Sequence, residues 1–187
     1  MDTMTMKPTM LTRCTLVGSA VALVLAAQTA GAQQKALGAQ AYATTFAPQP
    51  FPAALAAYEA RLFELTEPGE KKYDALFARQ LRSLVAPQMA QNAEFLARLT
   101  SGPTDVGTYV VSGQRAYIYY GICQAHQCDN TTMDLLFDPA RNRMVGKLLD
   151  SCASAWLGQP DNAEMALLDQ RHRATFPAAV TACAGEK

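Results

Sequence analysis

Arg115-Ala116-Tyr117-Ile118-Tyr119-Tyr120-Gly121-Ile122-Cys123-Gln124-Ala125-His126-Gln127-Cys128-Asp129-Asn130-Thr131-Thr132-Met133-Asp134-Leu135-Leu136-Phe137-Asp138 is the run whose reading decides the fold. From Arg115 to Ile122 the side chains alternate, with Tyr117 and Tyr119 on one face and Ile118 and Tyr120 on the other, the period of a β-strand. Thr131 to Asp138 repeats the pattern, setting Met133, Leu135 and Phe137 against Asp134, Leu136 and Asp138. Between the two strands, Cys123 and Cys128 bracket Gln124, Ala125, His126 and Gln127. The stretch reads as a disulfide-closed tip between two strands, holding His126 out toward a partner.

Reading outward, Gly107 to Val111 is a short β-type run, and Ser112-Gly113 offers the tight turn of a hairpin. Downstream, Asp138-Pro139-Ala140-Arg141-Asn142 is rich in turn formers, and Arg143 to Leu149 returns as a strand. Four strands joined in sequence by short turns predict an antiparallel meander. Upstream, Leu55, Tyr58, Leu62 and Leu65 fall on one face of a helix started by Pro52 and stopped at Glu67-Pro68-Gly69. A second helix is expected from Glu70 to Val85, with Tyr73, Leu76, Phe77, Leu81 and Leu84 as its stripe. Pro87 breaks it, and a third helical piece runs from Gln88 to Leu99. After the sheet, Asp161 with Glu164 three positions on resembles a capping box for a last helix carrying Met165, Leu167 and Leu168. The end of that helix holds Arg171, His172 and Arg173, where cations suit the helix dipole, so His172 reads as a solvated cap residue. The tail through Phe176, Val180 and Cys183 is placed to fold back. The predicted fold class is α+β: a central antiparallel meander flanked by helices, with a disulfide-closed loop protruding between two strands.

The first residues read as an export signal. Lys7 and Arg13 supply a positive start, Leu16 to Ala27 is apolar but short for a bilayer span, and Ala30-Gly31-Ala32 fits a signal-peptidase site. Residues 1–32 are therefore expected to be removed, leaving a single domain over 33–187 whose first residues, 33–50, are loosely ordered and contain Pro48 and Pro50. The implied destination is the periplasm, with no membrane partner after cleavage. The 16 basic residues equal the 16 acidic ones, so no surplus of charge points to nucleic acid. The state expected is a monomer or homodimer.

Export gives the cysteines their meaning. Cys14 leaves with the signal, and Cys123, Cys128, Cys152 and Cys183 remain, an even number in an oxidising compartment. Of three connectivities, locality favours Cys123–Cys128, which leaves Cys152–Cys183. By loop entropy the longer bridge is worth roughly 3–4 kcal/mol and the shorter roughly 2 kcal/mol. A six-residue ring has few conformations, so an imidazole carried on it loses little freedom on binding. Neutral imidazole donates through one nitrogen and accepts through the other, which suits it to the paired carboxyl groups of a glycoside hydrolase cleft. The bland alternative is an exposed turn residue on a structural ring. Two further readings are a zinc site and a thiol redox site at Cys123, His126 and Cys128. Three ligands do not complete a structural zinc site, and four residues separate the cysteines where redox motifs have two. No phosphate-binding or hydrolase motif is present. The chain reads as a non-enzyme without cofactor or metal.

With these residues in view, Tyr117 to Leu149 resembles the Ivy family, exported bacterial inhibitors of vertebrate, or C-type, lysozyme. The family's mark is a C-K-P-H-D-C loop between two strands, which stands here as C-Q-A-H-Q-C. A weaker likeness extends back to about Phe95 and forward through Trp156-Leu157-Gly158 to about Arg173. The resemblance implies a helix-flanked antiparallel sheet and a ring shaped by Cys123–Cys128. It further implies that the ring enters the lysozyme cleft and that His126 contacts the catalytic carboxyls. Gln124, Ala125 and Gln127 replace the family's lysine, proline and acid, so this ring has no fixed charge. A lytic transglycosylase thereby joins lysozyme as an expected target.

Overall fold

A computed structural model describes residues 49–185. The expected export signal, and all but the end of the loosely ordered stretch after it, lie outside the described residues.

The alternating run builds the centre of a five-stranded antiparallel sheet in simple sequence order: β1 (Thr108–Ser112), β2 (Arg115–Cys123), β3 (Thr132–Asp138), β4 (Arg143–Asp150) and β5 (Ala153–Leu157). The register opposes Ile118 to Phe137, Tyr120 to Leu135 and Ile122 to Met133, so one face is continuously apolar. Ser112 faces Arg115, leaving Gly113-Gln114 as a two-residue hairpin loop, and Gly113 has the positive φ of 60° that this turn demands. β5 is a correction to the four-strand meander. Its sequence, Ala-Ser-Ala-Trp-Leu, lacks β-branched residues, and all but Leu157 are exposed, so no alternation marks this edge strand.

The apolar face carries the main core. Ile118, Tyr120, Ile122, Met133, Leu135 and Phe137 pack against Leu62, Leu65, Phe77, Leu81 and Leu99 from the helices before the sheet. Each such side chain, fully buried, contributes roughly 1.5–3 kcal/mol. Those helices are α1 (Leu62–Thr66), α2 (Ala75–Leu84), α3 (Ala86–Gln91) and α4 (Phe95–Thr100). They are shorter than the sequence spacing suggests. The single helix expected from Pro52 is a 3₁₀ turn over Ala53–Tyr58 followed separately by α1. Between them the backbone is taken by the sheet side: Gly107 N–H donates to Ala60 O at 2.8 Å, and Arg61 bridges Val106. The second helix begins at Ala75, five residues later than expected, because the Asp74 carboxylate accepts the Leu76 and Phe77 N–H groups at 2.9 and 3.0 Å. Tyr73 and Leu76 consequently leave the buried stripe and are exposed. The third helical piece is two, α3 and α4, divided around Asn92, and Pro87 stands in the first turn of α3.

The other face of the sheet receives α5 (Asn162–Thr175). Tyr117, Tyr119, Leu136 and Val145 pack there against Leu167 and Leu168. The capping box forms, with Glu164 N–H donating to Asp161 Oδ1 and Asp161 N–H to Glu164 Oε2, both at 2.9 Å. Glu164 is also buried, where its Oε1 receives Arg143 at 2.6 Å, Tyr117 at 3.2 Å and Arg115 at 3.3 Å. The tail folds back as α6 (Pro177–Ala182), burying Phe176 and Ala179.

Candidate functional site: the ring between β2 and β3

Both disulfides close, Cys123–Cys128 and Cys152–Cys183, with Cα separations of 4.9 and 5.2 Å. The first bridges the end of β2 to the start of the connection that leads into β3. Within the ring, Gln127 N–H donates to Gln124 O at 3.0 Å, so the four bracketed residues form one β-turn. His126 occupies the third position of that turn, with φ at 64°. This is the left-handed region, where glycine is at ease and a side chain costs on the order of 1 kcal/mol. The imidazole is exposed and makes no hydrogen bond, ion pair or ring contact among the described residues. Gln127 is exposed beside it, whereas Gln124 and Ala125 are half-buried at the root of the turn.

The root is held from three sides. Gln124 N–H donates to Thr131 O at 3.1 Å and Thr131 N–H to Gln127 O at 2.8 Å, closing the loop on itself. Behind it runs the segment from α4 to β1. A Cβ on Gly102 would stand 1.9 Å from Cys123 O and 2.7 Å from Ala125 N, so only glycine lets that segment lie against the ring. On the third side the β4–β5 turn presents Ser151 and Cys152, both at positive φ, and Cys152 N–H donates to Asn130 O at 3.1 Å. Cys123, Leu149, Phe176 and Ala179 form a small buried cluster, and Cys128 and Cys183 pack against it. The second disulfide therefore ties down more than the C-terminal tail, because it belongs to the floor under the ring.

His172 corrects the expectation of a solvated helix cap. It is 4% exposed, its Nδ1 lies 2.7 Å from Asp134 Oδ2, and its ring meets Phe176. Asp134 is fully buried on β3, and its other oxygen accepts the Tyr119 hydroxyl at 2.6 Å. Thr175 lies 2.9 Å from the same hydroxyl. Position 172 follows Leu168 by one helical turn, which turns it toward the sheet. An aspartate on a strand covered on both faces needs such a partner, and that was the available signal in the sequence. The network is closed to solvent and anchors the end of α5, from which Phe176 reaches the cluster under the ring. Burial pushes the tyrosines up: Tyr119 ionises well above the ordinary phenol range, raised further by the Asp134 charge.

Among the described residues no cluster of three metal-ligating side chains occurs, and no helix is long and apolar enough to cross a membrane. The sulfurs of Cys123 and Cys128 bond to each other, which leaves neither as a thiolate ligand in this structure.

A helix-covered sheet with a stapled, exposed turn at one end defines a scaffold that presents a preorganised loop. The family model described as inhibitor of vertebrate lysozyme (Ivy) matches residues 77–180, more than half of the chain, and the chain belongs to that family. Neither a curated protein nor a solved structure matches it.

Proposed function

We propose that the protein is exported to the periplasm as a single domain and inhibits lysozyme-like, peptidoglycan-cleaving glycoside hydrolases by inserting the Cys123–Cys128 ring into their catalytic cleft. His126 is the contact with the catalytic carboxyl pair, and Gln124, Ala125 and Gln127 line the ring around it. The observation that carries the reading is the placement of His126: an exposed imidazole with no partner among the described residues, in a left-handed conformation, on a turn fastened by a disulfide and by backbone hydrogen bonds. Strain of this kind persists only where the surroundings enforce it, and it concentrates at binding sites. The ring is ordered before binding, so its ordering entropy does not oppose association. One imidazole nitrogen donating to a carboxylate while the other accepts from a protonated acid would occupy the two groups that hydrolysis needs.

The test is titration of the purified protein into a vertebrate C-type lysozyme and, separately, into a lytic transglycosylase. Stoichiometric inhibition of at least one is expected. His126→Ala should weaken it by about thirtyfold or more, the effect of removing one member of a buried charged hydrogen bond. Inhibition of neither enzyme, or equal inhibition by the variant, overturns the reading. The charge-free ring keeps the transglycosylase among the targets, since it brings no electrostatic steering toward one enzyme over another.

A further inference from the structure

We infer that the protein carries a second target contact beside the ring, a groove whose charged determinant is Arg61, and that it takes a polar, carboxylate-bearing rim segment of the same enzyme. The inference rests on the proposed insertion of the ring.

The groove has a volume of about 360 Å³ and is lined by Arg61 and Phe63 on one side and by Ser101, Gly102 and Pro103 on the other. Gly102 is common to both features: its backbone forms the groove wall and supports Cys123 to Ala125. The groove wall and the root of the ring are therefore in direct contact, and on the proposed insertion the rim of the target lies over both.

Arg61 is well held at its backbone and exposed at its head. Ala60 and Leu62 on either side are 1% and 0% exposed, and Arg61 itself bridges Val106 in the segment entering β1. Its N–H donates to Glu64 Oε2 at 2.7 Å, which spends that carboxylate on the backbone. The exposed guanidinium makes no ion pair among the described residues. Val106 next to it is an exposed apolar side chain. The Ser101 hydroxyl donates to Arg98 O at 2.6 Å and so meets a ligand as an acceptor for a peptide N–H, while the guanidinium suits a carboxylate, which it can hold through two parallel hydrogen bonds. The ring itself offers no fixed charge, and Arg61 is the cation that lines the groove beside it. It also lies outside residues 77–180, in a part of the chain that the family match does not reach.

Arg61→Gln and Arg61→Glu, each made in the full chain, test this against the enzyme that the wild-type protein inhibits best, with His126→Ala in parallel. Arg61 is exposed, so unfolding temperatures should match wild type and exclude misfolding. Arg61→Glu is expected to weaken inhibition by about tenfold and Arg61→Gln by about threefold, mainly through slower association, and both should flatten its salt dependence. Ser101→Trp, which fills the groove from an exposed position, should weaken inhibition without altering salt dependence. If His126→Ala loses inhibition while the Arg61 and Ser101 variants match wild type, the groove is overturned and the ring reading stands. If the wild-type protein inhibits neither class of enzyme, both are overturned.

Discussion

At position 126 a side chain stands where the backbone favours none. With φ at 64°, His126 carries conformational strain that glycine would not; the disulfide and the backbone hydrogen bonds of the turn enforce it, and the imidazole itself makes no offsetting contact among the described residues. His126→Gly should therefore leave stability unchanged or raise it by up to about 1 kcal/mol while inhibition is lost. Urea unfolding and lysozyme titration on the same preparations check this, and a destabilised variant would make the residue structural instead. The opposite case is Asp134, fully buried between Tyr119 and His172. Asp134→Ala strands the buried His172 imidazole and leaves the Tyr119 hydroxyl only Thr175, and a loss of about 3–5 kcal/mol in urea unfolding is expected. Of the two histidines, the exposure of His126 was legible in the sequence and the burial of His172 was not. A ring of six residues has no interior, so His126 had to be exposed. The facing of a residue at the end of a helix depends on what lies across from it, and Asp134 is 38 positions away.

Elements were legible where a local rule fixed them and blurred where a distant contact did. The tyrosine alternation of β2, the apolar alternation of β3 and the Asp161 capping box each rest on neighbours within a few positions. The breaks in the N-terminal helices do not: Ala60 and Arg61 leave the helix because Gly107 and Val106 take their backbone groups, over 40 residues away. Spacing alone joined Leu55 to Leu65 because both halves do face one core. The start of α5 offers a pH test. Hydrogen bonding from Arg115, 2.7 Å away, holds the Asp161 carboxyl below its ordinary range, with desolvation opposing. A lowered folded pKa adds stability above the unfolded value of about 3.9, and that stability disappears as pH falls through the folded value. Asp161→Asn keeps a good cap and removes the ion pair. Since the side chain is 48% exposed and screened by solvent, the variant should lose at most about 1 kcal/mol at pH 7. Unfolding titrations of the two proteins should converge as the pH falls from the unfolded value through the lower folded one.

For the whole molecule, the question is what makes the tip stiff. Loop entropy assigned the Cys152–Cys183 bridge to the tail, and the separation of 31 residues supports a contribution of about 3–4 kcal/mol. The packing assigns it a second task. Cys183 lies against the buried cluster of Cys123, Leu149, Phe176 and Ala179, and the turn holding Cys152 donates to Asn130 in the connection from the ring to β3. That coupling was hidden in the sequence, since the partners come from three separate stretches, 123–130, 149–152 and 176–183, that meet only in the folded chain. Replacing both Cys152 and Cys183 by alanine should cost about 3–4 kcal/mol in unfolding free energy and should also weaken inhibition, although Cys123–Cys128 remains intact. The two effects separate on temperature. Well below the unfolding transition, the loss of stability leaves the protein folded, so any weaker inhibition there reports a loosened ring. Inhibition equal to wild type under those conditions would mean that the ring's own bridge and the support of Gly102 are enough to hold His126 in place.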